Sequence, residues 1–214
     1  MATLSSNSIF GRISGTIGDR VYSSWEGIPY VRAKAVRISN PRTAAQLDQR
    51  AKFGAMIMFL KPLTPFLRIG FKSKTANMSA HNAAMACNMA NAIVGHYPDY
   101  AIDYSKASIS CGKTAEALSP AILLTGSCEI EFTWAYNPLD YSAYSDDKAV
   151  LVLYNSTKQE VIIAMGGNDR IECKQIITLP ISFTGDEVHC YIAFQDYKLK
   201  FISNSQYAGS LIVT

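Results

Sequence analysis

Glu129-Ile130-Glu131-Phe132-Thr133-Trp134 is the stretch whose reading decides the fold. Acidic or polar residues alternate with large apolar ones. A β-strand here turns Ile130, Phe132 and Trp134 to one side and leaves Glu129 and Glu131 on a solvated face. Similar short runs fill the second half of the chain. Residues 105–111, 128–136, 149–155, 160–165, 172–179, 187–195 and 206–213 read as strands. Between them stand turn-forming clusters: Asn137-Pro138, Asp146-Asp147, Gly166-Gly167-Asn168-Asp169 and Gly185-Asp186. Short strands with regular turn signals predict a β-sandwich over residues 98–214.

Upstream the period changes. Over residues 78–94, Met78, Met85, Met89 and Ile93 fall along one side of a helix, and alanines fill much of the remainder. Such a methionine row reads as a packed core face, with Gly95 as the residue closing the helix. Over residues 40–60, Leu47, Ala51, Gly54 and Met58 recur at helical spacing behind Asn40-Pro41 and a Thr43-x-x-Gln46 capping box. Pro62 and Pro65 predict a break there, followed by a short segment over residues 65–69. Residues 11–37 read as a glycine-punctuated β-meander with turns at Gly18-Asp19 and Glu26-Gly27. The spacing of Gly11, Gly15 and Gly18 does not match a phosphate-binding loop, and tight turns explain it better. The expectation is therefore an α+β protein. Residues 1–97 form a basic β-meander with helices, and residues 98–214 form a seven-stranded sandwich. The first part leans on the second or on another copy of the chain to cover its apolar helix faces.

With 214 residues, 49% of them hydrophobic and 17% charged, the chain can bury a core and is not of the disordered class. No apolar run reaches the roughly 18 residues that a membrane helix needs. Residues 1–15 lack the basic and apolar regions of a Sec signal. Five cysteines (Cys87, Cys111, Cys128, Cys173 and Cys190) are odd in number, widely spaced and without a C-x-x-C pair. They read as reduced thiols in the cytoplasm rather than as a zinc site or a disulfide framework.

Charge is unevenly spread. Residues 1–74 carry 12 Lys and Arg against 3 acids, net +9, and residues 75–214 carry 8 against 14, net −6. Such a split suits either a polyanionic partner or the docking of one half on the other. Arg32, Lys34, Arg37, Arg42, Arg50 and Lys52 are the candidate contact residues for nucleic acid or a protein partner, interleaved with Trp25, Tyr30 and Phe53. No recognised nucleic-acid-binding motif accompanies them, so pairing with acids of the sandwich or of a neighbouring subunit is the favoured reading.

Catalytic patterns are missing from the sequence. His81 and Cys87 sit poorly placed for a dyad on one helix. His189 and Cys190 are strand neighbours and point to opposite faces. There is no H-E-x-x-H, G-x-S-x-G or Walker loop. Asp146-Asp147 and Asp186-Glu187 read as solvated turns. The expectation is a non-enzyme without cofactor or metal.

Two resemblances add to this. Residues 129–134, with Trp134 as a core anchor, look like a B strand of a fibronectin type III or immunoglobulin-like domain. Residues 186–194 followed by 202–207 look like its F strand, turn and G strand. Cys128 and Cys190 fall near those strands without a B–F disulfide signature. Nearly the whole chain also resembles a family of uncharacterised proteins from Bacteroidota. The features that carry this match are residues 23–32 (SSWEGIPYVR), 39–46 (SNPRTAAQ), 49–53 (QRAKF), 59–62 (FLKP), 70–72 (GFK), 147–155 (DKAVLVLYN) and 185–188 (GDEV). That family implies no activity. Similar N-terminal motifs in phage and prophage proteins imply a virion or assembly role. The functional expectation is a structural or interaction protein acting through protein–protein contacts or self-association. The alternatives are nucleic-acid binding through the basic N-terminal region and an enzyme with an unrecognised site.

Overall fold

The computed structural model describes residues 2–3, 13–25, 27–37, 40–75 and 78–214. Gly11, Glu26 and Ser39, which belong to the sequence motifs above, lie outside these residues. The chain divides into two compact units, Met1–Thr43 and Ala44–Thr214.

In the first unit, β1 (Ala2–Thr3), β2 (Gly15–Ile17), β3 (Arg20–Trp25) and β4 (Ile28–Ala33) form an antiparallel sheet in the order β1-β4-β3-β2. The expected turn at Gly18 adopts a φ of 58°, a region that glycine reaches without steric cost. Among the described residues no side chain of this unit is fully buried, and Ile17, Trp25 and Ile28 are at least half exposed.

The second unit opens with α1 (Ala44–Gly70), directly after Thr43. Its buried residues are Met56, Phe59, Leu60, Leu63, Phe66, Leu67 and Gly70, an apolar stripe at three- and four-residue steps. The helix runs through Pro62 and Pro65, so the expected break does not occur. Each proline removes one backbone hydrogen bond, but burial of Leu60, Leu63, Phe66 and Leu67 on both sides of them holds the helix together. Helix α2 (Ala80–Asn91) starts at Ser79, whose side-chain oxygen accepts from the Asn82 N–H at 3.2 Å. It ends earlier than the sequence suggests. Gly95 lies inside a hairpin of β5 (Ile93–His96) and β6 (Asp99–Ile102), and Met78 is partly exposed rather than in the core.

The remaining strands are β7 (Leu118–Gly126), β8 (Glu129–Ala135), β9 (Lys148–Asn155), β10 (Glu160–Ala164), β11 (Lys174–Thr178), β12 (Glu187–Gln195) and β13 (Gln206–Ile212). They make one antiparallel sheet in the order β10-β9-β12-β13 and another in the order β11-β8-β7. The β-rich second half therefore holds, with one exchange. Residues 105–111 are not a strand, and β7 takes that place. The backbone of the 105–111 segment bonds to scattered side chains and to single backbone groups such as Gly70 C=O instead of to a ladder. Asn88 accepts from Ser108 N–H and donates to Ser108 C=O, both at 2.8 Å, while the Ser205 hydroxyl accepts from Ile109 N–H at 2.9 Å.

Alternation in β9 explains the layering. Val150, Val152 and Tyr154 join α1 and α2 in one core, whereas Ala149, Leu151 and Leu153 join Ile130, Phe132 and Trp134 of β8 in a second. Strand β12 divides likewise: Tyr191 and Ala193 face the helical core, while Val188, Cys190, Ile192 and Phe194 face the other. Helices, the four-stranded sheet and the three-stranded sheet thus form three layers. This is why the expected boundary at 97/98 gives way to one at 43/44: the helices share a core with the strands and cannot be separated from them.

Leu63→Ala is expected to lower stability by about 2–5 kcal/mol, because it opens a cavity in a fully buried site. Pro65→Ala, at an exposed position inside α1, is expected to raise stability by about 1 kcal/mol, since the restored helix hydrogen bond outweighs the lost chain stiffness. Urea denaturation of both variants checks the pair.

Candidate functional site

Strand pairing brings two loops together. Lys148 at the start of β9 pairs with Gln195 at the end of β12, so residues 136–147 and 196–205 leave the sheet side by side. Short polar side chains hold each loop in shape. Asn137 Oδ1 accepts from Leu139 N–H at 3.0 Å, and Asp140 Oδ1 accepts from Ser142 N–H at 2.9 Å and Ser142 Oγ at 2.6 Å. These Ser142 bonds hold the Asp140 carboxyl below the usual carboxylate range. In the second loop, Asp196 Oδ1 accepts from both Lys200 N–H and Phe201 N–H at 2.6 Å, and Gln195 Nε2 donates to Leu199 C=O at 3.2 Å.

The loops turn large apolar side chains outward. Leu139, Tyr141 and Tyr144 of the first and Tyr197, Leu199 and Phe201 of the second are all more than half exposed, Tyr141 reaching 90%. Tyr144, Tyr197 and Phe201 line a cavity of about 490 Å³ together with Lys113, Thr114, Ser142, Asp147, Asp196 and Lys198. A second cavity of about 580 Å³ shares Lys113 and Phe201 with it and adds Ile69, Lys72, Ser73, Lys200 and Ile202. Gly112 sets the position of Lys113. A Cβ at Gly112 would overlap the Ile202 carbonyl oxygen, so only glycine lets this segment lie against residue 202.

A buried ion pair fixes the base of the cleft. Arg170 Nη2 lies 3.0 Å from Asp147 Oδ2, and both side chains are essentially inaccessible. The guanidinium also donates to Ala115 C=O at 2.8 Å and Glu116 C=O at 3.0 Å, and its carbon lies 3.7 Å from the centre of the Phe194 ring. Trp134 Nε1 donates to Arg170 C=O at 2.7 Å. Burial pushes the Asp147 carboxyl up and the Arg170 guanidinium down, each opposed by its partner's charge. Asp147 was expected in a solvated turn; it is fully buried instead, because Arg170 balances its charge. Its Oδ1 has no hydrogen-bond partner among the described residues.

The six candidate contact residues are divided between the two units. Arg32, Lys34, Arg37 and Arg42 belong to the first unit, where all four are exposed, and Arg50 and Lys52 lie on α1 in the second. Lys52 is engaged: its Nζ is 2.8 Å from Asp48 Oδ2 and 5.2 Å from the centre of the Tyr100 ring, while Tyr100 OH donates to Asp48. The cleft residues escaped the sequence reading. Their one signal is aromatic residues inside segments rich in Asn, Asp, Ser and Pro, where nothing local can bury them.

A second polar cluster lies between the layers. His189 stacks on Tyr104 at 3.9 Å between ring centres, its Nδ1 is 3.0 Å from Tyr207 OH, and Tyr191 OH donates to Tyr104 C=O at 2.8 Å. Burial lowers the His189 pKa and raises those of Tyr104 and Tyr154, the latter to about 12. Cys190 points to the other core, where burial pushes its thiol up to about 12 and keeps it protonated. All five cysteines are free. Among the described residues, no three His, Cys, Asp or Glu side chains come together as a metal site, and no helix is long and apolar enough to cross a membrane.

Fold and site together define an α+β protein whose most distinctive surface is a loop-built cleft rather than a cluster of reactive groups. Residues 12–209 match DUF6266, a family of unknown function, and the chain belongs to that family. No curated protein matches the chain.

The His189 shift carries a sign. The folded state holds the imidazole neutral, so the unfolded chain takes up a proton first as pH falls below the ordinary value of 6.5. Stability contributed by this site is present above that value and is lost on acidification, at about 1.4 kcal/mol per pH unit until the folded pKa is reached. His189→Gln is expected to flatten this part of the stability profile between about pH 7 and 5 in urea titrations. An unchanged slope would show that His189 is not the titrating group.

Proposed function

We propose that the protein is a non-enzymatic interaction protein that contacts a protein partner through the 136–147 and 196–205 loops. The observation that carries this reading is the set of six large apolar side chains turned to solvent by loops whose backbones are already tied down. Monomer surfaces seldom hold so many exposed apolar groups together without a contact role. Tyrosine and phenylalanine are enriched at the centres of protein interfaces, where they bury much area at small entropy cost. Fixed loops lower the ordering cost of association further.

The finer fold reading supports the same function. We take the stacked sheets as a fibronectin type III-like or immunoglobulin-like sandwich. The strand orders β11-β8-β7 and β10-β9-β12-β13 and the buried Trp134 speak for it. In such sandwiches the loops joining B to C and F to G lie at one end and serve as recognition loops. On this assignment they are residues 136–147 and 196–205. Protein contact is favoured over nucleic acid because the exposed surface of these loops comes mainly from large apolar side chains, whereas binding to a phosphate backbone draws mainly on cations.

A photo-crosslinking amino acid placed at Tyr141 or at Tyr197, and as a control at exposed Ile176 on β11, tests this in cells that make the protein naturally. The expected result is a discrete adduct of one partner from both loop positions and none from the control. Adducts of equal yield from all three positions, or none from the loops, would remove the proposal.

A further inference from the structure

We infer that the cleft takes an acidic peptide segment of the partner, one that carries an aromatic or aliphatic residue beside its carboxylate. This rests on the loop-contact reading above and names the chemistry of its ligand. At one end, Lys72, Lys113 and Lys200 line a cavity of about 580 Å³ whose apolar surface comes from Ile69, Phe201 and Ile202. Three lysines beside an apolar floor match a carboxylate attached to an apolar neighbour, and no acidic side chain lines this cavity.

The cleft continues past Lys113 and Phe201 into the part lined by Tyr144, Tyr197 and Lys198. Here the lining is mixed: Lys113 and Lys198 stand with Asp196, while Asp147 is buried and paired with Arg170. Asp196 uses one oxygen on two backbone amides of its own loop. A ligand reaching this end meets the Asp196 carboxylate and the rings of Tyr144, Tyr197 and Phe201, which suit the N–H groups and aromatic side chains of a peptide. A polyphosphate chain offers neither donors nor apolar groups. Shape agrees with the chemistry: two joined cavities suit an extended segment rather than a single compact molecule.

The test uses the full-length protein and a fluorescein-labelled synthetic peptide, Gly-Ser-Asp-Phe-Glu-Leu-Asp-Phe-Gly-Ser, followed by anisotropy. The comparisons are its amide analogue, with Asn and Gln in place of the acids, and a dT oligonucleotide of about 12 nucleotides. Saturable binding of the acidic peptide is expected, weakened at least about tenfold in the amide analogue and by raising salt from about 0.05 to 0.5 M. The charge-reversal variant Lys72→Glu/Lys113→Glu/Lys200→Glu, checked for an unchanged melting temperature, is expected to lose affinity by a similar factor. Because all three lysines sit on the surface of the cleft, the amide analogue tests the same point on the unaltered protein should the variant fold poorly. Equal affinity for the amide analogue, no binding of the acidic peptide, or preferential binding of the oligonucleotide would overturn the inference. If crosslinks stay confined to Tyr141 and Tyr197 while the acidic peptide fails, the loop face stands and the acidic ligand falls. If both fail, the site itself is wrong.

Discussion

The Arg170–Asp147 ion pair is the constraint on which the rest of the second unit depends. A guanidinium and a carboxylate that are both removed from water cost several kcal/mol of desolvation each unless their hydrogen-bonding groups are met. The surroundings meet most of them. Arg170 spends its donors on Asp147, Ala115 and Glu116, presents its face to Phe194 and accepts at its carbonyl from Trp134. These contacts reach β8, β12, the segment before β7 and the turn before β11. Asp147 in turn stands at the junction of the first cleft loop with β9, where its N–H donates to Tyr144 C=O at 3.3 Å. One charge pair therefore registers both sheets and fixes the root of the loop that carries Tyr141 and Tyr144.

Layering turns that registration into a presentation device. Strands β9 and β12 are buried on both faces, by the helices on one side and by the three-stranded sheet on the other. Strands gripped in this way cannot bend or slip without opening one of the two cores. The loops at their ends accordingly start from fixed points. Asp140 and Asp196 then fold each loop on itself, so the exposed rings are held by covalent and hydrogen-bonded geometry rather than by contact with the rest of the protein.

Much of this was legible in the sequence, and the losses have physical causes. Alternation gave β8, whose one face meets a core, while β9 and β12 were read from short continuous apolar runs bounded by turn residues, as strands buried on both faces are. Strand β7 was hidden by Ser119 and Pro120, which break its register with β8, and the apolar residues at 105–111 imitated a strand whose backbone bonds are in fact taken by Asn88 and Ser205. The prolines of α1 misled because local propensity was outweighed by the apolar stripe on both sides of them. The site was the least visible part. Tyr141, Tyr144, Tyr197 and Phe201 stand in the segments that separate strands, and Arg170 stands in a turn, where a charge ordinarily reads as solvated. Its partner Asp147 is 23 residues away, and only the packing of two sheets brings them together. The basic set at residues 32–52 was legible as charge, but the engagement of Lys52 with Asp48 and Tyr100 was not, since it depends on the packing of α1 against β6.

Amide hydrogen exchange of the two cleft loops in the wild type and in Asp147→Asn is the most direct measurement of the central claim. A cleft pre-shaped by the buried pair predicts exchange at Leu139, Ser142, Lys200 and Phe201 slowed at least about tenfold relative to an unfolded chain. It further predicts that Asp147→Asn releases the 136–147 loop and residues 170–173 while the central amides of β12 stay protected. Loop amides that exchange at unfolded-chain rates in the wild type, or that are indifferent to the loss of the Asp147 charge, would contradict it.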